Sequence, residues 1–111
     1  MAEQEENQPT NQLDEKFYER ADSFINLANE AITKEEASAG QVANSLMFAT
    51  SRFNAWVTAA GYQKADDLAK EKEAIIEFFT EQYKLMLSEN IDSYVTNFNE
   101  YLGYSKENFK K

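Results

Sequence analysis

The sequence predicts an all-α fold: an antiparallel helical bundle of three long helices, the third kinked or broken near residues 88–90 and followed by a short fourth segment. Three observations predict it. Glycine and proline are scarce, three and one in 111 residues, which argues against a turn-rich β architecture. Apolar residues make up 42% and aromatics 14%, too much sticky surface for a disordered chain. Apolar positions also recur every three or four residues along most of the length.

The N-terminal stretch 1–12 contains three Glu, three Gln, two Asn and Pro9 but no periodic apolar positions, so it reads as a disordered polar tail. A single domain is expected over 13–102, long enough to bury a core without staples. Helix one is placed from Leu13 to Glu36 by Phe17, Ala21, Phe24, Ala28 and Ile32, with Ser38-Ala39-Gly40 ending it and turning the chain.

Helix two follows from Gln41 to Ala60, carrying Val42, Leu46, Ala49, Phe53, Trp56 and Ala60 on one face, with Gly61 placed for a left-handed cap. Its charge content is unusual. Between Ser38 and Gly61 the only charged residue is Arg52, whereas a solvent-facing helix surface normally carries Lys and Glu. Its off-core positions Asn44, Phe48, Ser51, Ala55 and Thr58 therefore form a candidate self-association face, the alternative being a central helix sandwiched within its own monomer.

The third stretch, 66–102, lacks Gly and Pro and would span roughly 55 Å as one helix at ~1.5 Å per residue. Leu68, Ile75, Phe79, Gln82 and Met86 share one direction, while Ile91, Tyr94, Phe98 and Leu102 centre about 100° away. This change of phase, beside the capping types Ser88 and Asn90, places the expected kink or break. Gly103 ends the element, and 103–111 reads as a loosely ordered tail.

The composition excludes more chemistry than it proposes. Without cysteine there are no disulfides, thiolate metal sites or thiol nucleophiles. Without histidine the commonest general base and every Ser-His-Asp arrangement are absent. The isolated glycines Gly40, Gly61 and Gly103 form no phosphate cradle. Asp66, Asp67, Glu71, Glu89 and Asp92 could hold Mg²⁺ only if several converged, and Asp66 and Asp67 are explained more simply by the positive end of a helix dipole. No catalytic, metal or cofactor site is assigned, and a non-enzymatic protein is expected.

A net charge of −9 repels phosphate backbones and anionic membranes, so neither nucleic acid nor membrane is an expected partner. No apolar run approaches the roughly 20 residues of a membrane span, and the N-terminus lacks a signal-peptide pattern, which points to the cytoplasm.

The two arginines stand out against nine lysines. Arg20 falls beside Phe24 and Leu27, and Arg52 beside Phe48 and Trp56, both within or at the margin of apolar arcs. A guanidinium there wants a bidentate partner. Glu71 and Glu89, flanking the third stripe, could supply an internal charge lock that fixes helix order. The other reading is capture of a carboxylate or phosphate ligand by Arg20 or Arg52 near Trp56.

Phe17-Tyr18-x-Arg20-Ala21-Asp22-x-Phe24-Ile25-x-Leu27-Ala28-Asn29 resembles a bacterial family known as domain of unknown function 3144. Ser45-Leu46-Met47, Arg52-Phe53-Asn54-Ala55, Asn90-Ile91-Asp92, Tyr94 and Asn97-Phe98 extend the likeness over nearly all of the chain after residue 12. The resemblance implies a short, bacterial, cytoplasmic single-domain protein with no assigned activity, and it transfers no functional residue. The expected function is that of a small interaction or scaffold protein acting as a homo-oligomer, with itself or another protein as partner. The alternative is a bundle that binds a small anionic ligand.

Overall fold

A computed structural model describes residues 14–103, which are helical apart from their connections, so the fold is all-α. The expected tails 1–12 and 104–111 lie outside the described residues. Helix α1 spans Phe17–Lys34, α2 Ala39–Ala59, α3 Ala65–Lys70 and α4 Lys72–Thr96, and a π-helical turn closes the described chain at Asn99–Gly103. The chain divides into two compact units after Asp67, within α3.

In the first unit α1 and α2 pack as a hairpin. A turn at Asp14 leads into α1: the Phe17 amide donates to the Asp14 carbonyl at 3.0 Å, and the Lys16 amide donates to Asp14 Oδ1 at 2.9 Å. At the other end Glu36 takes φ 58°, a left-handed conformation usually left to glycine. The expected stop at Ser38-Ala39-Gly40 is thus displaced. Ser38 instead starts the next helix through a capping box, its Oγ accepting from the Gln41 amide at 3.0 Å while Gln41 Oε1 accepts from the Ser38 amide at 2.9 Å. Gly40 consequently lies inside the first turn of α2.

Gly61 also departs from expectation, because no glycine among the described residues has a positive φ. The chain leaves α2 through a tighter turn, with the Gly61 amide donating to the Thr58 carbonyl at 3.1 Å and the Tyr62 amide to the Ala59 carbonyl at 2.9 Å.

In the second unit the interruption expected at 88–90 is absent, and α4 runs unbroken through it. Asn90 does not cap a new helix; its Nδ2 donates to the Met86 carbonyl at 2.9 Å, within the same helix. The irregularities fall on either side. Glu71 separates α3 from α4, its amide turning back to the Leu68 carbonyl at 3.1 Å. Asn97 ends α4, its Nδ2 donating to the Ser93 carbonyl at 3.0 Å, and the short fourth segment is the π-helical turn beyond it. There the Tyr101 ring meets Tyr94 edge-on at 4.9 Å.

The expected core is not closed within either unit. No described residue is buried, so neither unit buries one by itself. Phe24, Phe53 and Trp56, expected inside the bundle, are 58%, 62% and 65% exposed. Geometry explains this: two helices cover only one stripe on each other, and the first unit's hairpin has no further layer of its own.

Candidate functional site

The uncharged helix α2 presents two surfaces. Toward α1, Val42, Ser45 and Leu46 face Phe24, Leu27, Ala28 and Ala31 across an apolar groove of about 210 Å³. At about 100° per residue, Asn44, Phe48, Ser51, Ala55 and Thr58 fall within a sector of about 80° on the side away from that groove. Phe48 is 61% exposed there and Met47 borders it.

Two hydroxyls of this helix are turned inward on its own backbone. Ser51 Oγ donates to the Phe48 carbonyl at 2.8 Å, and Thr50 Oγ1 to the Leu46 carbonyl at 2.9 Å. A donor already satisfied in this way, as Ser51 is on this face, lowers the cost of removing water from the surface.

Arg52 lies at the edge of this face, with its guanidinium carbon 6.0 Å from the centre of the Phe48 ring, a cation–π contact. No carboxylate pairs with it among the described residues. Trp56 stands one turn further along and packs its ring at a tilt on Phe53, 5.7 Å between centres.

Arg20 has a different neighbour from the one expected. Its Nη2 donates to Asp14 Oδ1 at 3.2 Å, both side chains about half exposed. The Lys16 amide holds the Asp14 carboxyl below its usual range against the opposing effect of desolvation, and the Arg20 guanidinium adds to the lowering. This pair closes the open start of α1.

Glu71 precedes α4 and Glu89 lies within it, both in the second unit, where the described residues form no ion pair. Among the described residues no three carboxylates stand close enough to hold a metal ion, and no helix is long and apolar enough to cross a membrane.

Phe24, Ala28, Val42 and Leu46, expected on core faces, line this groove. The available signal was the spacing of Leu27 and Ala31 against Val42 and Leu46, but periodicity reports a face without reporting what covers it.

The family whose model matches this chain is described as Protein of unknown function (DUF3144), and the match spans residues 17–95. The chain belongs to that family. No curated protein and no solved structure matches it.

Proposed function

We propose that this member of the DUF3144 family is a small non-enzymatic interaction or scaffold protein that works as a homo-oligomer through α2. The observation that carries the reading is a helix of 21 residues with a single charge and its large side chains in solvent. Phe48, Phe53 and Trp56 are each more than 60% exposed. At ~150–250 Å² per aromatic side chain they leave roughly 300–400 Å² of largely apolar surface in water. Phe48 exposes its share on the Asn44–Thr58 face, and Phe53 and Trp56 expose theirs on the other side of the helix. Association completes the bundle of three long helices that the sequence calls for, with cover supplied from another copy. The Asn44, Phe48, Ser51, Ala55 and Thr58 face is the contact, because it is uncharged and its Ser51 hydroxyl already has an acceptor.

Light scattering at tens of micromolar tests this. The expected mass is a multiple of the 12.8 kDa chain, and Phe48→Glu shifts it toward the monomer, while Thr33→Glu on α1 does not. A wild-type monomer overturns the reading.

Arg52 supports a second reading, a small anionic ligand held between its guanidinium and Trp56. Its lack of a carboxylate partner favours it over Arg20, which Asp14 occupies. Trp56 is the only tryptophan, so its fluorescence should respond to a phosphate or carboxylate ligand, and Arg52→Ala should abolish the response. A flat signal across such a panel removes this reading.

A further inference from the structure

We infer that α2 pairs with α2 of a second copy, antiparallel, about a two-fold axis that passes by Ser51. This rests on the homo-oligomer proposed above and adds to it the orientation and register of the contact.

The first argument is spacing. Asn44, Phe48, Ser51, Ala55 and Thr58 follow one another at steps of four, three, four and three residues, the heptad spacing of a seam along which two helices interdigitate. Asn44, Phe48, Ser51 and Ala55 are exposed and Thr58 is half-buried, so α1 leaves the seam uncovered.

The second argument is that the seam complements itself when reversed. Asn44 and Thr58 each stand seven residues from Ser51, while Phe48 and Ala55 stand three and four from it. A second copy running the opposite way therefore sets Phe48 against Ala55 twice, Asn44 against Thr58 twice, and Ser51 against its own counterpart. Each phenyl ring meets the smallest side chain of the seam, so the two helices keep one separation along the whole contact. A parallel pair would stack Phe48 on Phe48 and leave Ala55 facing Ala55, too wide at one layer and empty at the other. Asn44 and Thr58 both donate and accept hydrogen bonds, so the outer layers satisfy each other. At the centre the Ser51 hydroxyl is already bonded to the Phe48 carbonyl at 2.8 Å. A surface that matches itself in this way is what a two-fold contact requires, and its occupant is another α2.

The one charge on the helix, Arg52, lies about 80° from the centre of the seam. The two-fold brings Arg52 of both copies to one exposed flank, where solvent screens them and each guanidinium lies 6.0 Å from the centre of a Phe48 ring.

The chain has no cysteine, so Asn44→Cys and Thr58→Cys, made in separate chains, each carry a single thiol. Under mild oxidation an equal mixture of the two should yield a disulfide-linked dimer, and neither chain by itself should. A disulfide needs Cα atoms within about 7 Å, and positions 44 and 58 lie roughly 20 Å apart along the helix at ~1.5 Å per residue. In the cysteine-free chain Ala55→Phe sets ring against ring and should shift the light-scattering mass toward the monomer, and adding Phe48→Ala should restore it. Crosslinking of Asn44→Cys chains with one another means a parallel pair and overturns this inference while leaving the α2 oligomer intact. An oligomer whose mixture forms no link does the same. A wild-type chain that is monomeric in solution overturns both.

Discussion

The guanidinium of Arg20 reaches back six residues to the carboxylate of Asp14, Nη2 to Oδ1 3.2 Å, across the open first turn of α1. Together with the Lys16 amide it favours the ionised carboxylate. Because the folded value is lowered, the stabilisation is present above the unfolded aspartate value of about 3.9 and is lost as pH falls through the folded value. An NMR titration should place the Asp14 midpoint below the usual range. Arg20→Ala should raise that midpoint only in part, since the Lys16 amide is the larger cause. Its melting temperature should change little, and a large drop would instead reinstate Arg20 as part of a charge lock.

Ser38 and Gln41 close the start of α2 reciprocally. Ser38→Ala removes the acceptor for an otherwise open helix amide and should cost about 1 kcal/mol, with Ser38→Asp retaining most of the stability. Thermal unfolding followed by circular dichroism measures both, and an unchanged transition for the alanine variant would contradict the capping geometry.

Glu36 holds a left-handed backbone at the end of α1. A side chain with a Cβ is strained there, and Glu36→Gly should stabilise the protein by up to about 1 kcal/mol once the greater freedom of unfolded glycine is deducted. Glu36→Val, branched at Cβ, should destabilise it. Chemical denaturation of the pair gives the sign, and a stabilising valine would rule out the strain.

No described side chain is buried within either unit, so stability should depend on association. The melting temperature should rise with protein concentration across a range of about a hundredfold, as mass action requires when the partner is another copy. A transition independent of concentration would mean that the apolar faces are satisfied within one chain.

Helix identity was legible in the sequence because it depends on local terms. The three- and four-residue spacing of Phe17, Ala21, Phe24 and Ala28 places α1, and Val42, Leu46, Ala49 and Phe53 place α2, whatever lies outside them. Local hydrogen bonding decided the boundaries less visibly. The Ser38-x-x-Gln41 pattern was there to be read as a start, but the nearby glycine suggested a stop. Ser88 and Asn90 suggested a cap, yet Asn90 bonded within its own helix and α4 continued.

The candidate site was legible only as a list of residue types. Composition alone marked α2 as unusual and the two arginines as positions needing partners, because a missing charge or a rare residue type is visible without coordinates. Which partner each arginine met required the fold: Asp14 for Arg20 depends on the path of the turn before α1, and Phe48 for Arg52 on a side-chain conformation. Whether an apolar stripe is core or surface could not follow from its period, since periodicity says which residues share a face and only tertiary packing says what, if anything, lies against it. In this protein the sequence by itself determined the helices, the acidic balance and the absence of thiol and imidazole chemistry. The tertiary structure decided that neither unit by itself closes a core over the apolar faces of α2 and α4.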